Sequence, residues 1–327
     1  MIYQNDFLDR VLFDPIEQGA DKLKIVSGYA SPSMASWHIT EIAERNKPAI
    51  EIALIIGMCK ADGLSIGVHE GFKAVMNNRD NSVFNCQYVI EGMPVHSKLY
   101  VWERNGVPVT AYMGSANYSQ IAFSRARREI IKECDPVQAL DYFNAIESNS
   151  MYCNHADIEE YVQFTRAKQY DTDYDSVIPV HSTNNIKLSL LDYKGDMHER
   201  SGLNWGQRPG RNKNQAYIPL PVNYARSGFF PITNLKTGKH NPHFSVFTDD
   251  NKNLILRTEQ GNSKGITTPH NNSLIGEYFR NRLGLPSGAF VTKQDLLNYG
   301  RTDVEFFKID DEQYFMNFSN SSNNLST

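Results

Sequence analysis

A tight hairpin constrains this chain more than any other feature of its sequence. VHSKLYVW (Val95–Trp102) and VPVTAYM (Val107–Met113) are apolar, β-branched runs of strand length, joined by ERNG, which contains Asn105-Gly106. Asn-Gly supplies the two positive-φ residues of a two-residue turn whose twist matches that of paired strands. Side chains alternate along a strand, so Val95, Ser97, Leu99 and Val101 share one face while His96 and Lys98 share the other. The spacing predicts a strand buried on one side that presents an imidazole and an ammonium on the opposite side, about 7 Å apart.

The flanking sequence predicts layered α/β structure. Strands are expected at Lys22–Gly28, Ile50–Ile56, Ser82–Ile90 and Glu129–Glu133, and helices over 31–46, His69–Asn77, Pro136–Asn149 and Ala156–Lys168. Interleaved strands and helices pack as a sheet covered by helices. QYDTDYDSVIPVHSTNN lacks periodicity and is read as a linker, placing a nuclease-like first domain at 1–177 and a second domain at 178–327. In the second, strands at Ile186–Leu191, Ala216–Leu220, Leu254–Arg257, Val304–Ile309 and Gln313–Phe318 alternate with long polar loops, and helices are expected at Ser273–Leu283 and Thr292–Tyr299. This half is mainly β.

Composition narrows the functional classes. The 40% hydrophobic fraction suits a globular core, but no apolar run is long enough for a membrane helix. The acidic N-terminus does not read as a secretory leader. The four cysteines form no CxxC pair, which argues against a zinc site and for a reducing, cytoplasmic setting. The net charge of −4 conceals an asymmetry: residues 1–180 hold 16 Lys and Arg against 24 Asp and Glu, whereas 200–293 hold 13 against 4. The basic stretch is suited to meeting phosphates.

The chemistry gathers around the hairpin. The imidazole of His96 can attack phosphorus or move a proton, and Lys98 can neutralise the non-bridging oxygens as charge builds. The second strand ends at Gly114-Ser115-Ala116-Asn117, where glycine permits close backbone approach and the Ser hydroxyl and Asn amide can donate hydrogen bonds. Glu129, flanked by Arg127 and Arg128, is a carboxylate that could orient an imidazole.

With these residues the sequence resembles the phospholipase D superfamily, whose signature is HxK, an Asp after four further residues, a GSxN element and a later Glu. His96, Lys98, Gly114, Ser115, Asn117 and Glu129 match; Glu103 stands at the Asp position. The resemblance implies a phospholipase D-like mixed sheet with flanking helices. It also implies hydrolysis through a covalent phosphohistidine, with a second histidine protonating the leaving oxygen. Family members carry two HxK motifs and this chain has one, so a homodimer sharing one site between two copies of His96 is expected. No cofactor is implied, and no metal-ligand motif appears in the sequence.

The second half supplies candidate nucleic-acid contacts. The stretch Ser201–Pro221 holds Trp205, Gln207, Arg208, Arg211, Asn212, Lys213 and Asn214, and a second loop offers Gln260, Asn262 and Lys264. These side chains read base edges or hold phosphates. Residues 190–221 resemble the B3-like recognition domain of restriction endonucleases that carry a phospholipase D-type nuclease, which implies a B3-like pseudobarrel and double-stranded DNA as partner. Three readings remain open at this level. One is a type II, metal-independent, sequence-specific endonuclease of a restriction-modification system. Another is a DNA-binding protein with a silent nuclease site. The third is a phosphodiesterase acting on another nucleic acid. A lipid substrate is disfavoured because no basic amphipathic helix is visible.

Overall fold

The Asn-Gly turn is formed as its sequence demands: Asn105 and Gly106 take φ of 50° and 77°, and Arg104 pairs with Val107 across it. The computed structural model describes residues 1–4, 6–77, 82–124, 127–165 and 185–320. The chain divides into two compact units, Met1–Lys168 and Gln169–Thr327. The expected boundary near 178 lies outside the described residues.

The strands of the first unit are β1 (Ile2–Tyr3), β2 (Lys22–Ser27), β3 (Glu51–Ile56), β4 (Leu64–Ser65), β5 (Val83–Val89), β6 (Leu99–Arg104), β7 (Val107–Gly114), β8 (Ile131–Cys134), β9 (Ser150–Tyr152) and β10 (Phe164–Thr165). Eight of them form one mixed sheet in the order β1-β8-β7-β6-β2-β3-β5-β9, in which β2, β3 and β5 run parallel. The parallel strands are nearly continuous in apolar residues because both sheet faces are covered. Helix Pro136–Glu147 lies against one face, where Val26, Ile55, Val89, Val101 and Ala111 pack with Ala139 and Phe143. Helix Pro32–Glu44 is buried along most of its length; the Ser31 hydroxyl accepts from Met34 N at 3.3 Å and Pro32 occupies its first turn. That is a serine cap followed by the one helical position where proline loses nothing.

Two expectations change here. The first hairpin strand begins at Leu99, not Val95, because β2 ends its pairing with β6 at Val26–Leu99. The preceding residues keep the expected alternation: Val95 and Leu99 join the core under Pro136–Glu147, and the Ser97 hydroxyl lies 3.0 Å from the Tyr142 hydroxyl on that helix. The helix expected over 156–168 is a single turn, Ile158–Tyr161, after which Val162 turns extended and Phe164–Thr165 pairs with β4. The β-branched and aromatic run of Val162, Phe164 and Thr165 favours that outcome; residues 166–168 lie outside the described residues.

The second unit is built on β11 (Asn185–Ser189), β12 (Ile218–Pro219), β13 (His243–Thr248), β14 (Asn253–Glu259), β15 (Gly265–Thr267), β16 (Asp303–Lys308) and β17 (Gln313–Asn317). Their order is β11-β16-β17-β13-β14-β15-β12, with β13 and β17 the parallel pair. The edge strands β11 and β12 return beside each other, so the sheet is nearly closed into a barrel. Phe230, Phe244, Leu256, Ile275, Phe279 and Tyr314 fill it. The capping box of Thr292 and Asp295 starts helix Lys293–Tyr299. Strand β13 escapes sequence reading because all six residues of HFSVFT are buried, the polar ones included, and no alternation survives. Closure follows from the same fact, since a strand buried on both sides belongs inside a curved sheet. An α/β domain with a phospholipase D-like mixed sheet is therefore followed by a mainly-β pseudobarrel, the fold class expected.

Candidate active site and nucleic-acid interface

The segment carrying His96 crosses the carboxyl ends of β2 and β3, where glycines admit it. Val95 N donates to Gly57 O at 3.1 Å, and a Cβ on Gly57 would fall 1.9 Å from Val95 O. A Cβ on Gly28 would meet the His96 ring at 3.0 Å. Backbone approaches this close exclude any side chain at Gly57. The ring of His96 is left exposed, and the edge of the Tyr29 ring packs against it, centroids 5.7 Å apart.

Lys98 is buried beneath it. Its ammonium donates to His96 O at 2.7 Å and stands 3.1 Å from each ring nitrogen, favouring neither tautomer. Burial lowers the pKa of Lys98 from its ordinary value, and the charge of Glu129 opposes that shift. Desolvation leaves the ammonium poorly hydrated and so ready to accept an anionic oxygen.

The second hairpin strand delivers the remaining groups. Gly114 N donates to Lys98 O at 3.2 Å, and a Cβ at Gly114 would sit 2.0 Å from Ile130 O. This contact brings the start of β8 against the motif. Ser115 Oγ donates to the Glu129 carboxylate and accepts from Ile130 N at 3.0 Å. Asn117 Oδ1 accepts from Tyr29 N at 3.3 Å, which leaves its Nδ2 as the donor available to a bound oxygen. Ser27 Oγ in turn accepts from Tyr118 N at 3.0 Å and fixes the backbone on both sides. His96, Lys98, Ser115, Asn117 and Glu129 are thus brought together. Glu129 engages the Ser115 hydroxyl, whereas the sequence reading had it orienting an imidazole. Glu103 stands apart, five residues or about 16 Å along the strand from Lys98. It is buried and paired with Lys24 at 3.3 Å.

Sequence reasoning missed Tyr29 and Asp62. The Tyr29 hydroxyl donates to Asp62 Oδ2 at 2.5 Å, so this residue binds Asp62 with its hydroxyl, Asn117 with its amide and His96 with its ring. The only hint was the GYA that follows a strand, a position where residues meet ligands in open sheets.

In the second unit, Arg208, Arg211, Asn212, Lys213, Asn262 and Lys264 are exposed, and Trp205, Gln207 and Gln260 half-buried. The Arg211 guanidinium stacks 4.1 Å from the Trp205 ring and donates to Gln215 Oε1 at 3.1 Å. Arg208 Nε donates to Arg200 O at 2.8 Å, and Gln207 to Gly288 O at 3.1 Å. Asn212 Oδ1 accepts from Asn214 N at 2.9 Å. Pairing of β12 with β15 sets the two loops side by side: Tyr217 touches Trp205 on one side and approaches Gly265 next to Gln260 on the other. Asn214 is placed differently from expectation. It is buried, donates to Glu277 and Ser287, and accepts from Gly288 N at 2.6 Å, so its amide is engaged inside the domain.

Residues 5–160 match the family model of the NgoFVII restriction endonuclease N-terminal PLD domain. Residues 179–310 match that of the NgoFVII C-terminal B3-like DNA-binding domain. Among solved structures, NucT from Helicobacter pylori aligns at 14% identity and a TM-score of 0.31, over 46% of this chain and 97% of its own. Nuc of Salmonella typhimurium, a phospholipase D family member, aligns at 15% and 0.33 over the same shares. No curated protein matches the chain. Among the described residues no helix is long and apolar enough to cross a membrane. With a nuclease-type first domain and a B3-like DNA-binding second domain, each matched by its own family model, the chain belongs to the NgoFVII restriction endonucleases.

Proposed function

We propose that this chain is a type II endonuclease that cleaves double-stranded DNA at a defined sequence, without a metal, through a phosphohistidine on His96. The observation that carries the reading is the exposed imidazole of His96 set over the desolvated Lys98, with Ser115, Glu129 and Asn117 beside it. A ring nitrogen of His96 attacks phosphorus and the P–O bond to the leaving oxygen breaks. Lys98 and the Asn117 amide stabilise the non-bridging oxygens as they gain charge. The leaving oxygen needs a proton, and a single HxK motif provides only one histidine. The second histidine is the partner's His96, which protonates the leaving oxygen and then accepts a proton from the water that breaks the P–N bond.

A shared site requires this face to meet its own copy. Tyr29, Met93, Met113 and Ile130, next to site residues in sequence or in contact with them, are all exposed, with Met93 at 86%. Such an apolar border around a catalytic pair supports an isologous dimer. The second domain then selects the site through the Trp205–Lys213 and Gln260–Lys264 loops, and the enzyme works on DNA in the cytoplasm.

The test is plasmid cleavage in EDTA with mapped fragment ends. Discrete ends, an acid-trapped labelled adduct on the protein and loss of both in His96→Ala are the expected results, with DNA binding retained. Mixing wild type with excess His96→Ala should depress activity beyond dilution. A fully active monomer, or cleavage that depends on added metal, would refute the mechanism.

A further inference from the structure

A third basic element of the second unit belongs to neither of the loops already described. The stretch 221–248 has no acidic residue, and within it Lys236 and Lys239 are exposed, as is Lys264 nearby in the fold. Among the described residues, no carboxylate lies within ion-pair range of these three lysines.

The turn that carries Lys236 and Lys239 is rigidly built. Asn241 is fully buried at its base; its Oδ1 accepts from Thr233 N at 3.0 Å and Asn234 N at 2.7 Å. Its Nδ2 donates to Thr258 Oγ1 at 2.8 Å and Ser263 Oγ at 3.1 Å. Ser263 Oγ passes on a hydrogen bond to Asn234 O at 3.1 Å, and Asn262 N donates to Lys236 O at 3.0 Å. Gly238 lies so close to Gln260 that a Cβ would fall 2.9 Å from Gln260 O. The Lys236–Lys239 turn and the Gln260–Lys264 loop are therefore one welded double turn, and whatever the second meets, the first accompanies.

We propose that the 234–239 turn is a separate DNA arm that holds backbone phosphates through Lys236 and Lys239 and reads no bases. This rests on the reading of the second domain as a binder of double-stranded DNA. Lysine ammonium groups act as point charges without the planar fork that reads a base edge. The amide of Asn241, which could read bases, is engaged inward. A preorganised turn also places its charges with little ordering cost on binding.

The experiment uses full-length protein carrying His96→Ala and measures affinity for a random-sequence duplex of about 30 base pairs across a salt series. Each phosphate neutralised contributes about 0.9 to the slope of log K against log salt, so K236Q/K239Q should lower that slope by about 1.8. K236R/K239R should retain it. Lys252→Gln, an exposed lysine at the far end of β14, should leave it unchanged. With His96 restored, K236Q/K239Q should still cut a plasmid at the same positions. An unchanged slope, an equal fall in Lys252→Gln or a changed set of cut positions would overturn the proposal. If the parent protein binds no duplex at any salt, the reading of the domain itself fails, and this arm with it.

Discussion

Replacing Glu103 by Gln tests whether the residue that departs from the phospholipase D signature serves stability or chemistry. Glu103 is almost fully buried on β6, and its carboxylate pairs with Lys24 at 3.3 Å, itself only 14% exposed in its side chain. Removing the charge leaves a largely desolvated ammonium without its partner, a class of change that costs about 3–5 kcal/mol. Two features reduce that figure. Lys24 retains some access to water, and its ammonium also lies 5.1 Å from the Phe143 ring centroid, a contact the substitution leaves in place. A loss of about 2–3 kcal/mol is therefore expected. For a unit of this size each kcal/mol lowers Tm by about 2–4 °C, so the first unit should melt about 4–12 °C lower. Trp37 and Trp102 lie in that unit and Trp205 in the other, so the shift should appear in the fluorescence of the first two and leave Trp205 unaltered. Single-turnover cleavage at 25 °C should be unchanged, because the pair sits about 16 Å along the strand from Lys98. A tenfold fall in that rate with Tm unmoved would refute the reasoning and make Glu103 part of the reaction.

His38 is fully buried, bonded to the Tyr118 hydroxyl and Leu12 O, and burial lowers its pKa from 6.5 to about 4. The unfolded chain therefore binds a proton that the folded one refuses. Stability is fully present above about pH 6.5 and falls by about 3 kcal/mol as pH drops to about 4. Urea titrations across that window should show the loss, and His38→Gln should flatten it. Tyr29→Phe keeps the ring on His96 and removes the hydroxyl bond to Asp62, so cleavage should fall by about tenfold, the equivalent of about 1.4 kcal/mol. Tyr29→Ala should fall further, with kcat affected more than KM; equal losses in the two variants would put the role in the tether alone. Asn214→Ala leaves Gly288 N, Ser287 and Glu277 without their shared partner and should destabilise the second unit by about 2–3 kcal/mol, read from Trp205 fluorescence.

The parts of the site that sequence reading reached are those encoded locally. Asn105-Gly106 dictates the hairpin, the alternation from Val95 to Val101 dictates the buried face, and the order of His96, Lys98, Ser115 and Asn117 carries the family likeness. What it missed depends on contacts between distant segments. Tyr29 gains its place from Asp62, Asn117 and His96 together, and no spacing within GYAS announces three such partners. Asn214 looks like its exposed neighbours Asn212 and Lys213, yet the chain folds it onto Glu277, Ser287 and Gly288. Strand β13 is hidden because a strand buried on both faces loses the alternation by which a half-buried one is recognised. The short helix Ile158–Tyr161 was over-extended for a related reason: its continuation is decided by pairing with β4, nearly a hundred residues earlier.

Gly57 and Gly114 perform no chemistry, yet each lies where a single methyl group would collide with a carbonyl oxygen about 2 Å away, one under Val95 and the other under Ile130. A saturation library selected for survival of cleavage would rank both beside His96 as intolerant positions. Ser97, between the two motif residues, should tolerate exchange far better. A map of mutational tolerance would therefore outline the mould of this site as sharply as its reactants, and only a separate measure of folded yield would tell the two apart.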